Sequence, residues 1–364
     1  MTPRTILLTG TGTVGREVLL ALLRETTDRV VLLMRDRGRK PATTRAGALF
    51  EELGLTTQER ERVDMVRGDV REERLGLNAV IQARLIESVN VIVHTAAATS
   101  LTADRVLCES VNRDGTAHVL LLAERCFRAG RLQRFLHLST AMVAGGESMA
   151  LVREDDLPST PIHSNHYEAS KHAAERIVRA AMHAGLPVTI LRPSMVVGDS
   201  RTGRTRDFNV IYPLIKMLAN GYLSTFPADP EAPVHLAPLD FVVDATLRAI
   251  DEPWALGRTF HITAPSPPSV HELFACDAFF PPGTARPRLC DPNTFDPKQC
   301  TQRERELLDS VSFCFPYFRS GLTFDTTNTG RLLPLPVTDA AFLDRLGRYA
   351  IESGYFRGHA SQGR

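Results

Sequence analysis

Ile6-Leu7-Leu8-Thr9-Gly10-Thr11-Gly12-Thr13-Val14-Gly15-Arg16-Glu17-Val18 is the stretch that decides the fold of this chain. An apolar run typical of a buried strand leads into a glycine-rich turn and then into a helical pattern. Gly10 permits a tight turn, Gly12 lets the backbone approach a pyrophosphate, and Gly15 allows the helix to pack on the strand. Glycines that merely shape a turn are the alternative. The spacing favours a dinucleotide-binding turn, with anion-facing N–H groups at the helix start, formed by Gly10, Thr11, Gly12, Thr13, Val14 and Gly15.

The first half of the chain alternates short β-branched or leucine-rich runs with longer amphipathic stretches. This is the pattern of βαβ units that build a doubly wound parallel sheet with helices on both faces. The predicted strands are Thr5–Leu8, Arg29–Met34, Val63–Val66, Val91–His94, Phe135–Leu138 and Pro187–Leu191. The predicted helices are Gly15–Arg24, Cys108–Ala129 and Tyr167–Ala184.

Prolines cluster after Leu191, and the strict alternation ends there. We expect a dinucleotide-binding domain over residues 1–200, with contributions from 236–264, and a smaller C-terminal substrate lobe within 201–364. Most of Asp277–Gln302 is assigned no regular structure because it is Pro-rich and weakly periodic. The other elements predicted in this half are helices at Asn209–Leu223 and Phe241–Ile250, a strand at Thr259–Thr263, and a last helix capped by Thr338 that runs to about Ser353.

Composition narrows the class of protein. The 43 Lys and Arg residues balance 42 Asp and Glu residues, so the overall charge predicts neither a nucleic-acid partner nor a membrane surface. No secretory signal is visible, and no apolar run reaches the length of a membrane span. The six cysteines show no C-x-x-C pair and no histidines at zinc spacing, so we expect reduced thiols, no metal site and a cytoplasmic location.

The end of the second predicted strand reads Leu33-Met34-Arg35-Asp36-Arg37. In a dinucleotide-binding fold this position lies near the adenosine ribose, where a cation accepts a 2′-phosphate and a carboxylate binds the 2′-hydroxyl. The planar fork of Arg35 suits a phosphate, so NADPH is predicted rather than NADH. Asp36 as a ribose-binding acid and a solvated charge run are the alternatives. After the third strand, Asp69 and Val70 are placed near the adenine.

Tyr167-Glu168-Ala169-Ser170-Lys171 lies inside a helical pattern, so Tyr167 and Lys171 share one face. Reduction of a carbonyl needs a proton donor beside the oxygen, and a nearby ammonium is expected to lower the tyrosine pKa for that task. Alone, this spacing occurs often by chance. Tyr167, however, follows Ser139-Thr140 at the end of the fifth strand by 28 residues. Thr140 is therefore the candidate to hydrogen-bond the reacting oxygen.

Together these motifs resemble the extended short-chain dehydrogenases/reductases, and within them the fatty acyl-CoA reductase and carrier-protein thioester reductase branch. The likeness covers roughly residues 4–275 and follows the family order. Besides the segments above, its motifs are His94-Thr95-Ala96-Ala97, Val111-Asn112-Arg113-Asp114-Gly115-Thr116, Arg192-Pro193-Ser194, Gly198-Asp199-Ser200, Pro238-Leu239-Asp240-Phe241 and Phe260-His261-Ile262-Thr263. One departure is a glycine turn that is one residue shorter than T-G-x-x-G-x-x-G.

The resemblance implies a Rossmann fold and a role for each matching residue. Thr140, Tyr167 and Lys171 would form the catalytic triad, with Asn112 in support. Lys171 would also hold the nicotinamide ribose. Ala96, Ala97, Pro193 and Ser194 would line the cofactor side of the cleft. Arg192-Pro193 as simple strand-end structure is the alternative.

The resemblance also implies an activity, the NADPH-dependent reduction of an acyl thioester, bound to coenzyme A or to a carrier protein, to an aldehyde or alcohol. A ketoreductase or alcohol dehydrogenase acting on a hydrophobic ketone or alcohol is the main rival, because the same triad serves that chemistry. A non-catalytic NADP(H)-sensing protein is a remote third. Arg201, Arg204 and Arg206 form either a site for coenzyme A phosphates or an acyl carrier protein, or a solvated loop.

Overall fold

A computed structural model of the chain describes residues 3–146, 151–209, 211–280, 284, 286–319 and 321–356. Its strands are β1 (Thr5–Thr9), β2 (Arg29–Met34), β3 (Val63–Arg67), β4 (Val91–His94), β5 (Arg134–Leu138), β6 (Leu151–Val152), β7 (Val188–Pro193), β8 (Met195–Val197), β9 (Thr225–Pro227), β10 (Leu236–Pro238), β11 (Thr259–Ile262), β12 (Arg288–Cys290) and β13 (Thr323–Phe324).

Seven of these strands form the parallel central sheet, in the order β11-β7-β5-β4-β1-β2-β3. Leu8 pairs with Leu32 of β2 on one side and with Val93 of β4 on the other. Strand order reverses around β1, so the carboxyl ends of β1 and β4 border the crevice where ligands bind in such sheets. The predicted α/β fold with a doubly wound parallel sheet is confirmed, and the predicted strand at Thr259 joins the sheet as its seventh member beside β7.

The helices are α1 (Thr13–Glu25), α2 (Ala42–Leu53), α3 (Thr57–Arg60), α4 (Ala79–Ser88), α5 (Arg105–Cys108), α6 (Gly115–Arg128), α7 (His166–His183), α8 (Ile211–Ala219), α9 (Leu239–Asp251), α10 (Val270–Ala275), α11 (Gln302–Val311), α12 (Thr327–Leu332) and α13 (Ala340–Glu352). In the described part of the chain, none of them combines the length and the apolar character that crossing a bilayer requires.

Both faces of the sheet are buried. Alternate residues of a strand point to opposite faces, so Leu8 packs with α1, α2 and α9, whereas its neighbour Leu7 packs with α4, α6 and α7. Strands buried on both faces read as continuous apolar runs, which is why Ile6-Leu7-Leu8 carries no polar alternation. The hydrophobic core on both faces of the sheet fixes the strand ends, where the candidate site residues lie.

A separate hydrophobic cluster is built from residues between Met195 and Phe356. It is rich in aromatic side chains, including Tyr212, Phe226 and Phe318, each almost fully buried. Phe226 packs edge-on against both Phe315 and Phe318. We call this cluster, with the elements that carry it, the aromatic lobe. Its assignment as a substrate-binding unit stays a prediction.

One local prediction needs correction. The last helix is capped by Asp339, whose side chain accepts the N–H of Phe342 at 2.9 Å, and not by Thr338. The predicted helix Cys108–Ala129 is helical from Cys108 to Arg128, but its Glu109–Asp114 part is a π-helical turn between α5 and α6. Most of the described part of Asp277–Gln302, which leaves out residues 281–283 and 285, has no regular structure, as predicted; its short strand β12 pairs with β9.

We expect Gly15→Ala to destabilise the fold. A Cβ at position 15 would lie 2.2 Å from the carbonyl oxygen of Gly10 and 2.7 Å from Oγ1 of Thr95, so the turn would have to shift. Overpacking of this kind costs about 1–3 kcal/mol, which urea unfolding measures. Gly47→Ala in α2 is the matched control because a Cβ there meets nothing within 4 Å. Equal stability of the two variants would contradict the tight packing of Gly15.

Candidate active site

The glycine turn leaves room for an anion where the sequence predicts it. Gly10 adopts a left-handed φ of +93°, and a Cβ there would lie 2.6 Å from the backbone nitrogen of Ala96. Gly12 faces open space. It is the N-cap of α1, so no side chain at this position caps the helix. The first N–H groups of α1 therefore start a helix without a side-chain acceptor, which suits a phosphate. The shorter turn keeps these features, so the residues present fit a dinucleotide.

The remaining predicted turn residues have mixed surroundings. Thr11 is partly exposed, and Val14 packs against the core on the α1 face. The hydroxyl of Thr13 donates to Oδ2 of Asp207 at 2.6 Å. Asp207 also lies 3.1 Å from the guanidinium of Arg16, so a segment of the second half of the chain contacts the turn. No sequence motif indicates this contact, because Thr13 and Asp207 are 194 positions apart.

Asn112 holds the loop that follows β4. Its side chain accepts the N–H of Ala98 at 2.8 Å and donates to the carbonyl of Ala98 at 3.1 Å and to Oγ of Ser170 at 2.9 Å. The π-helical turn at Glu109–Asp114 carries this side chain, which is fully buried. Asn112 therefore ties the loop with Ala96 and Ala97 to α7, and its contacts in this structure are those of a positioning residue.

At the end of β2, the side chains of Asp36 and Arg35 have different surroundings. Asp36 accepts the N–H of Ala42 at 2.8 Å and Arg67 at 2.6 Å, and these contacts lower the pKa of Asp36. Arg35 is exposed, and within the described residues its guanidinium makes no hydrogen bond or salt bridge. Asp69 is paired with Arg71 at 2.7 Å, while Val70 is buried against α6.

The three predicted catalytic side chains meet at the carboxyl end of β5. Thr140 lies two residues after the end of β5 and is buried, while Tyr167 lies in the first turn of α7 and is partly exposed. The side chain of Thr140 is close enough to Tyr167 to favour ionisation of its phenol. Lys171, one helical turn after Tyr167, donates from Nζ to the carbonyl oxygen of Leu138 at 2.6 Å. The partly exposed phenol of Tyr167 and the buried ammonium of Lys171 thus lie one turn apart on α7.

The pKa values differ from the sequence prediction. Burial raises the pKa of Tyr167 to about 12, and the nearby side chain of Thr140 opposes this only in part. The lowered pKa that the sequence predicts for Tyr167 is therefore not found, because burial outweighs the interactions that favour the phenolate. Burial also lowers the pKa of Lys171 to about 8, although the nearby charge of Glu175 favours the ammonium. At neutral pH Tyr167 is a protonated phenol, which is the form that gives a proton away.

A buried ion pair beneath the triad was missed by sequence reasoning. Glu175, on α7, lies 2.6 Å from Arg192 of β7, and both side chains are fully buried. It also accepts the hydroxyl of Ser139 at 2.6 Å and pairs with Arg179. Burial opposes ionisation of Glu175, but the two arginines and Ser139 outweigh it and lower its pKa to about 2. The only signal was Arg192-Pro193 at a strand end.

The other two predicted cofactor residues lie at the same strand end. Pro193 closes β7 and pairs with Ile262 of β11. Ser194 is buried, and its hydroxyl donates to Oγ1 of Thr263 at 3.1 Å. This contact joins β7 to the segment after β11.

Comparison with known proteins gives one family and several relatives. Residues 8–246 match the model of the NAD-binding male sterility protein family. The glycine betaine reductase of Emericella nidulans is 27% identical over 282 residues, which cover 74% of this chain and 22% of that protein. The fatty acyl-CoA reductase wat of Drosophila melanogaster is 26% identical over 290 residues, covering 70% of this chain and 55% of that protein. The chain thus spans between about a fifth and about half of these relatives.

Among solved structures, the terminal R domain from the myxalamid PKS-NRPS biosynthetic pathway superposes with a TM-score of 0.82. It is 27% identical and covers 98% of this chain and 92% of its own. The fold, the family match and these relatives define the class, which is an NAD(P)-dependent oxidoreductase of the extended short-chain dehydrogenase/reductase type. Within that class, the chain belongs to the NAD-binding male sterility protein family. The resemblance found in the sequence is confirmed at this level.

We expect the oxidation of NAD(P)H by this enzyme to slow as the pH rises through about 8. Lys171 is charged below its pKa of about 8 and neutral above it, and only the ammonium stabilises the phenolate that forms when Tyr167 gives up its proton. A profile of kcat from about pH 6 to about pH 10 measures this.

Lys171→Arg is the control, because a guanidinium does not titrate in this range. We expect lower but nearly constant activity in this variant. A wild-type profile that stays flat above pH 8, or the same decline in Lys171→Arg, would contradict the assignment.

Proposed function

We propose that this enzyme reduces the carbonyl of an acyl thioester, bound to coenzyme A or a carrier protein, with NADPH as the hydride donor. The observation that carries the proposal is the meeting of Thr140, Tyr167 and Lys171 at the sheet edge that also holds the glycine turn. This meeting supports roles for Tyr167 as a proton donor and for Thr140 as an oxygen-binding hydroxyl beside a dinucleotide. The choice of a thioester is supported by relatives named as a fatty acyl-CoA reductase and an R domain.

The preference for NADPH is supported by the surroundings of Arg35 and Asp36. A ribose-binding acid needs free carboxylate oxygens. Both oxygens of Asp36 already accept hydrogen bonds, one from the N–H of Ala42 and one from the guanidinium of Arg67. The exposed guanidinium of Arg35 offers two parallel donors to a phosphate. Arg37, Arg39 and Lys40 are exposed nearby and add positive potential.

In this mechanism the bound cofactor supplies hydride to the carbonyl carbon. The hydroxyls of Thr140 and Tyr167 hold the carbonyl oxygen and stabilise the negative charge that develops on it. Tyr167 then gives its proton to that oxygen, a transfer for which a phenol with a pKa of about 12 is in the correct state. Lys171 uses one of its three N–H donors on Leu138, so two donors would remain for the ribose of a bound cofactor and for the forming phenolate.

The product of this step on a thioester is a hemithioacetal, whose collapse releases a thiol and an aldehyde. The second round, from aldehyde to alcohol, needs the same three side chains and nothing further from the protein. Arg201 and Arg204 are exposed on the loop before α8, and we include them as contacts for the phosphates of coenzyme A or for an acidic carrier protein. Arg206 is less available because it pairs with Glu17 at 2.7 Å.

The test of the proposal is NADPH oxidation at 340 nm with acyl-CoA thioesters, acyl-pantetheine mimics, aldehydes and ketones. We expect thioester-dependent turnover, and a loss of about 10²-fold or more in Tyr167→Phe, which keeps the ring but removes the donor. Tyr222→Phe, an exposed tyrosine stacked under Arg303, is the control and should keep full activity. Turnover of ketones alone would establish the ketoreductase alternative, and cofactor binding without turnover the sensor alternative.

We expect Arg35→Ala to raise the KM for NADPH by about 10-fold to about 100-fold while changing the KM for NADH little. A charge-assisted contact with the 2′-phosphate accounts for a loss of this size, and NADH lacks that phosphate. Arg29→Ala, at the opposite end of the same strand, is the matched control. An equal loss with both cofactors would show that Arg35 does not read the 2′-phosphate.

A further inference from the structure

The first turn of α7 is held by contacts from inside and outside the helix. Asn165 is its N-cap, and its side-chain oxygen accepts the N–H of Glu168 at 3.0 Å. The carboxylate of Glu168 turns back to accept the N–H of Ser164 at 2.8 Å and the amide of Asn165 at 3.2 Å. Tyr167 lies between these two residues. The position of its hydroxyl therefore depends on how this turn is fixed.

A third partner comes from the aromatic lobe. The hydroxyl of Tyr317 donates to Oε1 of Glu168 and accepts the amide of Asn165 at 2.9 Å. Tyr317 is 149 residues away from Glu168 in the sequence. The contact is shielded, since Glu168 is only 2% exposed. A buried carboxyl that lost this donor would carry an unmet hydrogen bond next to the catalytic tyrosine.

The aromatic lobe determines where the Tyr317 hydroxyl lies. Tyr317 belongs to the 3₁₀-helical segment Ser312–Phe318, in which Cys314 and Phe318 are buried in the aromatic cluster. The carbonyl of Phe318 also accepts the N–H of Asp229 at 2.9 Å. The Tyr317 hydroxyl therefore connects this segment of the aromatic lobe to the first turn of α7.

From these contacts we propose that Tyr317 is a positioning residue, whose hydroxyl aligns Tyr167 with the substrate carbonyl by fixing Glu168 and Asn165. The inference rests on the proposed function for the identity of the carbonyl, but not for the contact itself. It assigns the aromatic lobe a part in the chemical step as well as in substrate binding. Interactions distant from the reacting carbon that act in this way appear in kcat more than in KM.

The experiment compares Tyr317→Phe with the wild-type enzyme. The ring and its packing remain, so we expect an unchanged thermal midpoint and a KM for NADPH within about twofold, but a kcat about 10-fold lower because the donor of Tyr167 is misaligned. A larger solvent deuterium isotope effect on kcat should accompany the loss, since proton transfer becomes more rate-limiting. Tyr222→Phe, in the same half of the chain but exposed, is the control.

Two further measurements separate positioning from general loss of structure. Tyr317→Phe added to Glu168→Ala should cost little more than Glu168→Ala alone, because the hydroxyl acts through this carboxylate. Amide hydrogen exchange at Glu168, Ala169 and Ser170 should be faster in Tyr317→Phe. This readout needs no turnover.

Three results would overturn the inference. These are an unchanged kcat in Tyr317→Phe, a parallel change in kcat, NADPH affinity and thermal midpoint, or unaltered exchange in the first turn of α7. Failure of the proposed function looks different, because the wild type itself would then not turn over thioesters. The variants would in that case be compared on whichever aldehyde or ketone the wild type reduces. If it reduces no carbonyl compound, they would be compared by hydrogen exchange alone.

Discussion

The site depends on the buried carboxylate of Glu175. One side chain joins the catalytic helix α7 to β7 through Arg192 and to the end of β5 through Ser139. Lys171 lies one turn before Glu175 on the same helix, and Thr140 follows Ser139 directly. Through these contacts Glu175 connects the helix that carries Lys171 to the strand end that carries Thr140. Removing one partner of such a pair leaves an uncompensated buried charge, which is strongly destabilising.

The same network extends across the edge of the sheet. Arg192 lies 3.1 Å from Nε2 of His261 on β11 and donates to the carbonyl of Asp156 at 2.7 Å. Glu154, also buried, accepts the N–H of His261 and both the N–H and the hydroxyl of Thr329. Several loops that follow the parallel strands are therefore fixed by charged groups with satisfied hydrogen bonds, and each has little freedom to move independently.

The cofactor end of the crevice is built differently. There the constraint is steric, because Gly10 and Gly15 leave no space for a Cβ while Gly12 stands open. The loop after β4 packs on Gly10 and is tied by Asn112 to Ser170 on α7. Asn112 thus connects the glycine turn to α7, the helix that carries Glu175. It lies in the π-helical turn between α5 and α6, and this local distortion directs its side chain inward.

The sequence by itself determined the parallel α/β fold, the glycine turn and the shared helix of Tyr167 and Lys171, since each of these follows from local periodicity or from spacing within one element. It did not determine the Glu175–Arg192 pair, the contact of Asp207 with Thr13, or that of Tyr317 with Glu168, because the partners are 17, 194 and 149 residues apart and nothing local links them. It also mistook the pKa of Tyr167, because spacing along a helix shows which charges are near but not how much water the fold removes. Burial, a property of the whole tertiary structure, decided the protonation state of the catalytic groups.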